Sequence, residues 1–293
     1  MPKRYGLLGA SPTNTAFAGQ AGIYSVDDLF YNKKDGVHPK YYDLTSYFPS
    51  AYRTLIDSFD LVAFVSSSDG ASYIETLVDA ASSSTASAIV ILPGTYSGGI
   101  NFVTATVNTT TAFLDKGKPI SYICAPGQTI IEFTRGATER DLCIAMLTNS
   151  SSAVYGAYLK RNNNGQTANY GNAWMRASDG TNSNVGTVSN CVFREVNANG
   201  NWARNYFAGG YTVQYTTLYV SQNAQNDYNS ATGASWDYVV CNYQKGTGTT
   251  PWTNSYENQT IESDFQVTGL STAGVYAGTY AWDANLTTIS TSS

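Results

Sequence analysis

Histidine occurs once in the 293 residues, as His38. That scarcity removes the side chain most often used near neutral pH as a general base or transition-metal ligand. No HExxH run or other His cluster offers a zinc site. Cysteine is almost as sparse: Cys124, Cys143, Cys191 and Cys241 stand at least 19 residues apart, so no CxxC pair exists for zinc or redox chemistry. Buried free thiols are the first expectation and disulfides the alternative, and no metal or cofactor is expected. Charge is scarce too, at 13% of residues against roughly 25% in ordinary soluble proteins. With a net charge of −5 and only 16 scattered basic residues, the chain has no cationic track for a phosphate backbone, so nucleic acid is not an expected partner. No apolar run approaches the ~20 residues of a membrane span, and the apolar part of MPKRYGLLGASPT is too short for a signal peptide. Folding in a cytoplasm without membrane insertion is the expectation. Gly-rich phosphate loops, a GxSxG elbow, and kinase or deaminase signatures are all missing.

What fills the gap is Ser, Thr, Asn, Gly and 23 tyrosines, a neutral, polar and aromatic chemistry. Hydroxyl and amide side chains suit stacked β-structure because they hydrogen-bond to the next strand without like-charge repulsion. A hydrophobic share of 42% over this length is enough for one large all-β domain with an arm, or for two modest domains.

The clearest local signal is a helix start. Ser72-Tyr73-Ile74-Glu75 fits a capping box, and Ile74, Leu77, Val78 and Ala81 recur at helical spacing, giving a helix over about 73–83 with one apolar face. Asp69 and Gly70 precede it and the run from Ser82 to Ser87 ends it. A buried strand, Ala88-Ile89-Val90-Ile91-Leu92, then runs into the turn Pro93-Gly94-Thr95-Tyr96. Residues 119–131, from Pro119 to Ile131, read as strand, turn and strand. This order, over about residues 69–134, resembles the N-terminal cap of pectate-lyase-like β-helices, including phage tailspikes. The resemblance implies an all-β fold: a single-stranded right-handed parallel β-helix whose exposed apolar end is plugged by an N-terminal capping helix.

Rungs are expected downstream. Val188–Phe193, Val213–Leu218 and Tyr238–Tyr243 align at an offset of 25 residues, which puts Cys191, Thr216 and Cys241 in one column and Phe193, Leu218 and Tyr243 in another. Val154–Leu159 fits as an earlier rung displaced by 34, with a longer loop over 161–187. Arg161–Thr167, Ser178–Asn184 and Asn197–Asn201 read as loops. The domain expectation is an anchoring arm over 1–60, a parallel β-helix with its cap over 61–262, and a C-terminal cap and tail over 263–293. In the last, Phe265–Gly269 and Val275–Tyr280 would form a hairpin. The Asn-X-Ser/Thr triplets at Asn108, Asn149, Asn258 and Asn285 are read as chance.

Residues 1–60 carry clustered charge and irregularly spaced aromatics, and read as an extended N-terminal arm. Within them Gly22–Tyr31, followed by Lys33-Lys34-Asp35-Gly36-Val37-His38-Pro39, resembles a short segment that recurs in bacteriophage virion proteins: aromatic, small, apolar, acidic pair, aromatic, basic pair, Gly, Pro. His38 departs from that pattern, standing where an aromatic is expected. The resemblance makes Tyr24, Asp27, Asp28, Phe30, Tyr31, Lys33 and Lys34 candidates for docking on a partner. An amphipathic helix from Ser25 to Lys34 is the competing reading.

Enzymes on such β-helices use carboxylates, sometimes with Ca²⁺ and a basic residue. Asp179, Glu195, Asp227, Asp237, Glu257, Glu262, Asp264 and Asp283 are present, but none is paired at i, i+2 in an expected strand, and no catalytic residue is assigned. The 25-residue offset does align Trp202, Asp227 and Trp252, with Arg204 and Tyr206 nearby. Sugar rings stack on flat aromatic faces while a carboxylate accepts from hydroxyls, so this column is a candidate glycan ladder; aromatics packed under loops or in an interface are the alternative. Together these readings point to a structural component of a phage particle, such as a tail fibre, spike or decoration protein. It would dock on other virion proteins through its arm, in a homo-oligomer of which a trimer is favoured, and present a rigid β-helix to host-surface polysaccharide. The expected location is the virion. A polysaccharide depolymerase, lyase or glycoside hydrolase, is the alternative.

Overall fold

The computed structural model of the chain describes residues 31–32, 44–69, 71–98, 100–103, 108–111, 113–134, 141–142, 145–162, 173–176, 186–196, 206–208, 211–220, 235–241, 252–253, 274–276 and 280–282. Strand β1 (Tyr31–Asn32) comes first. Helices α1 (Leu44–Tyr47) and α2 (Ser50–Ser58), strand β2 (Leu61–Val65) and helix α3 (Ala71–Ala80) follow. The chain then runs in successive circuits. The first holds β3 (Ser87–Ile91), β4 (Gly94–Ser97), β5 (Ile100–Val103), β6 (Asn108–Thr111) and β7 (Phe113–Leu114). The second holds β8 (Ile120–Cys124), β9 (Thr129–Thr134), β10 (Asp141–Leu142) and β11 (Ala145–Met146). The third holds β12 (Ala153–Tyr155), β13 (Tyr158–Asn162) and β14 (Ala173–Arg176), and the fourth β15 (Thr187–Ser189), β16 (Val192–Val196) and β17 (Tyr206–Ala208). The fifth and sixth are marked by β18 (Thr212–Val220) and β19 (Ser235–Cys241), followed by β20 (Trp252–Thr253), β21 (Gly274–Tyr276) and β22 (Tyr280–Trp282).

Corresponding strands of successive circuits pair in parallel and form three ladders. The first runs β2, β3, β8, β12, β15, β18, β19, β20. The second runs β4, β9, β13, β16, β18, β19. The third runs β7, β11, β14, β17. The first two belong to one thirteen-stranded sheet because β18 and β19 pass unbroken from one ladder into the next. The β1–β2 pairing in that sheet is antiparallel. A large parallel sheet with few helices is compatible with an all-β parallel β-helix.

Period-two alternation sends every second side chain to the same side of a strand, and register repeats the choice on each circuit. Ala63, Ile89, Tyr122, Val154, Val188 and Val213 are consecutive register partners and all belong to one buried cluster. Tyr96, Ile131, Leu159, Phe193 and Leu218 do the same on the second ladder. Each such aliphatic or aromatic side chain contributes about 1.5–3 kcal/mol by leaving water. Tyr73, Leu77, Val78 and Ala81, from α3 and the residue after it, join the same cluster.

Tyrosine hydroxyls serve the main chain inside this core. Tyr122 Oη donates to Leu114 O at 2.6 Å, Tyr211 Oη donates to Leu147 O and accepts from Leu147 N, both at 3.1 Å, and Tyr96 Oη donates to Leu92 O at 2.8 Å. A buried carbonyl left without a donor would cost about 1–3 kcal/mol, so these phenols fill places where an aliphatic side chain would not serve.

The bend between the first and second ladders is made by one left-handed residue per circuit: Gly156 (φ 71), Asn190 (φ 55), Tyr215 (φ 45) and Tyr238 (φ 53). Gly156 N donates to Ser189 O and Asn190 N to Gln214 O, so main-chain pairing continues through the bend. The Tyr215 and Tyr238 rings stack with centroids 4.6 Å apart and planes within 8°.

The structure corrects several sequence expectations. α3 starts at Ala71 and ends at Ala80, so Ser72 lies inside the first turn rather than ahead of it. Residues 44–58, expected in an extended arm, form α1 and α2; Tyr31–Asn32 is a strand, not the end of a helix. β14 lies inside the loop expected over 161–187, and Arg161 and Asn162 complete β13. The offset is 34 from Val154 to Val188 and 25 from Phe193 to Leu218, as read, but the next circuit is shorter: Leu218 pairs with Cys241, and Thr216 pairs with Val239. Cys241 therefore belongs to the Phe193 and Leu218 column rather than to that of Cys191 and Thr216. The C-terminal hairpin is β21 against β22, entirely C-terminal to Phe265–Gly269, which lies outside the described residues.

Candidate functional site

The outer face of the first ladder is covered by the chain itself. Phe48, Tyr52, Leu55 and Ile56 from α2 and its approach pack with Val62, Ala88, Val90, Ile123, Ala153 and Tyr155. This explains why β3 reads as an unbroken apolar run, SAIVI, and is buried at all five positions: the core takes one face and α2 the other. Past the reach of α2 the outward positions turn polar, with Thr187 and Ser189 on β15 and Thr212 and Gln214 on β18. At the bend of the third circuit, a Cβ on Gly156 would lie 2.6 Å from Cys124 O and 2.9 Å from Tyr52 Cε1. The Tyr52 ring thus takes space that a side chain on this circuit would otherwise need.

On the second ladder Glu132, Lys160, Arg194 and Tyr219 form one register column. Lys160 Nζ lies 2.8 Å from Glu132 Oε1, and the Arg194 guanidinium sits 5.6 Å from the Tyr219 ring centroid. Both members of the ion pair are more than a third exposed, so the pair contributes little to stability.

The polar centre with the densest hydrogen bonding is Asp115, which is fully buried in the turn after β7. Its Oδ1 accepts from Gly117 N (2.9 Å) and Thr148 Oγ1 (2.9 Å), and its Oδ2 from Thr148 N (2.8 Å) and Asn149 N (2.9 Å). One carboxylate thereby ties the ends of two successive circuits. The next residues clasp α3: Lys116 Nζ donates to Asp79 Oδ1 at 2.6 Å and reaches Glu75 Oε1 at 3.5 Å, while Lys118 Nζ donates to Val78 O and Asp79 O. Burial lowers the Lys116 pKa, but its two carboxylate partners outweigh this and raise it overall; the Lys118 ammonium is lowered, chiefly by burial.

Cys124 and Cys191 are free and buried. Burial pushes the Cys191 thiol up to about 12 and raises Cys124 well above its ordinary value. It also raises the Tyr122 and Tyr155 phenols. These groups stay protonated at neutral pH, which suits core packing and works against nucleophilic chemistry. Among the described residues no three His, Cys, Asp or Glu side chains gather to hold a metal ion.

The residues singled out in the sequence fall unevenly. Trp202, Arg204 and Asp227 lie outside the described residues, as do Tyr24, Asp27, Asp28, Phe30, Lys33 and Lys34. Tyr206 opens β17 on the third ladder, paired with Ala173, and Trp252 opens β20 on the first, paired with Trp236. The uniform 25-residue spacing that aligned Trp202, Asp227 and Trp252 gives way to 23 between Thr212 and Ser235 and to 16 between Trp236 and Trp252. Tyr31 pairs with Val62 at the edge of β2. Comparison with protein-family models, curated proteins and solved structures finds no match for the chain.

Proposed function

We propose that the chain is a structural component of a phage particle: a single-stranded right-handed β-helix, closed at its N-terminal end by α3, that projects as a short fibre, spike or decoration. Residues 1–60 are its docking arm onto other virion proteins, in a homo-oligomer with a trimer favoured. The observation that supports this most directly is the fastening of α2 to the outside of the first ladder, through Phe48, Tyr52, Leu55 and Ile56. The segment ahead of Leu44 thereby departs from the flank of a filled, stacked core, an arrangement suited to carrying a rigid body on a separate attachment. Two further features fit a mechanical role. The Asp115 carboxylate braces adjacent circuits, and the inward columns are packed with aliphatic and aromatic side chains.

The test is the chain's copy number and its cross-linked neighbours in purified particles. Three-fold or six-fold placement at a tail identifies a fibre or spike, and distribution over capsomers identifies a decoration protein. Absence from particles, or release of reducing ends or unsaturated sugars from host capsular glycan by the purified chain, would replace this reading with a depolymerase.

A further inference from the structure

The apolar residues divide into two large clusters that share no member. One fills the interior of the circuits, from Leu61 and α3 through Val239. The other lies outside, between α2 and the outward positions of β2, β3, β8 and β12. Every inward column is therefore complete without α2. The strands are held by main-chain hydrogen bonds to circuits on both sides, whereas α2 is held chiefly by side chains. Its printed polar tie to the circuits is Gln128 Nε2 donating to Tyr47 O at 3.4 Å. A nine-residue helix is too short to persist alone in water, so it forms only while docked. Its one chain link to the circuits is Phe59–Asp60, which leads directly into β2.

We propose that Leu44–Ser58 is a strap that opens as a unit while the circuits stay closed, giving the N-terminal segment a fastened and a released state. Such sub-global opening is expected where an element carries its own contact set and removes none from its neighbours on leaving. Tyr52 is the buckle. Its ring seats against Gly156, the one residue of the left-handed column Gly156, Asn190, Tyr215 and Tyr238 that has no side chain. On the next three circuits the same bend carries Asn or Tyr, which occupies its own circuit's corner, so the seat for an incoming ring is confined to the third circuit. The released state lengthens the reach of the N-terminal segment by the unwound helix and uncovers Val90, Ile123 and Tyr155. This goes beyond the virion reading and holds whether or not that reading is right.

The test is limited trypsin digestion of the full chain, following cleavage after Arg53 within α2 and after Lys160 within β13, together with amide hydrogen exchange of both segments. In the unsubstituted protein Arg53 is cut before Lys160. Tyr52→Ala, which leaves every inward column intact, raises cleavage at Arg53 and exchange in 50–58 by about ten-fold or more. Cleavage at Lys160 and exchange in β8 and β18 stay unchanged. Gly156→Ala acts on the same contact from the circuit side and shifts the strap in the same direction; should it fail to fold, Tyr52→Ala decides alone. Parallel loss of protection in β8 and β18 would mean that strap and circuits are one cooperative unit, and an unchanged rate at Arg53 would mean that Tyr52 does not hold the strap. Either result overturns the proposal.

Discussion

Tyr215 and Tyr238 occupy the same corner on successive circuits, both in left-handed backbone, with ring planes within 8° and centroids 4.6 Å apart. A left-handed conformation costs a non-glycine residue about 1–2 kcal/mol, and a stacked aromatic pair returns about 0.5–1.5 kcal/mol beyond burial. The stack thus offsets much of the strain at the bend. Replacing each tyrosine by alanine, singly and together, is expected to give a coupling energy of about 1 kcal/mol in a denaturant double-mutant cycle. A coupling indistinguishable from zero would show that the rings are merely adjacent.

Gly156→Ala is expected to destabilise the chain by about 3 kcal/mol, because it combines φ 71 with a Cβ only 2.6 Å from the Cys124 carbonyl. Asn190→Gly, at the equivalent bend, keeps the favoured conformation and is expected to cost under about 1 kcal/mol. Urea midpoints of the two variants should differ in that order.

Asp115→Asn replaces a carboxylate that accepts four hydrogen bonds by a group that turns an NH₂ toward main-chain donors. A loss of about 2–4 kcal/mol is expected, since charge-assisted bonds are lost and buried N–H groups are left unmatched. Thr148→Val removes one of the four and should cost about 1 kcal/mol. Thermal unfolding would rank the two.

Alkaline conditions should unfold the protein before acid affects its thiols. The folded pKa of Cys191 is pushed up to about 12 from 9.0, and that of Cys124 is also raised, by burial. The unfolded thiols ionise first, so their contribution is fully present below pH 9 and is lost as pH rises from there toward 12. Stability measured across pH 8–11 should fall, and Cys191→Ala should flatten the fall. At pH 9 a thiol alkylating reagent should leave Cys124 and Cys191 unlabelled until denaturant is added; labelling of the folded chain at either site would contradict the burial.

Much of the fold was legible where one circuit carries its own punctuation. The apolar stripe of α3, the SAIVI strand and the ISYIC and TIIEFT strands around Pro126-Gly127 follow from local pattern, and the 34- and 25-residue steps follow from matching inward residues. The step to β19 was misread because Cys191 and Cys241 look alike, while register is fixed by main-chain pairing and circuit length. The left-handed column was readable in principle: Gly156 and Asn190 coincide under the 34-residue step and are the two residue types that adopt this conformation most readily. Tyr215 and Tyr238 hid it. The roles of α2 and Asp115 were not visible, since α2 follows Pro49 with little charge pattern, and a lone Asp before Lys-Gly-Lys-Pro looks like an ordinary solvated turn. Of the named site residues, Tyr31, Tyr206 and Trp252 acquired register partners without being brought together.

The shortening of the circuits sets where the protein can change. From Ala153 to Thr187 a circuit takes 34 residues, from Thr187 to Thr212 it takes 25, and from Trp236 to Trp252 only 16. Inserted sequence on the early circuits leaves the paired strands untouched, as the β5–β6 hairpin already demonstrates by joining β4 to β7 across the first circuit. On the late circuits nearly every residue is needed to travel from one rung to the next, so a deletion there must shift register and turn core columns outward. Evolution and engineering alike are therefore free at the thick end and constrained at the thin one.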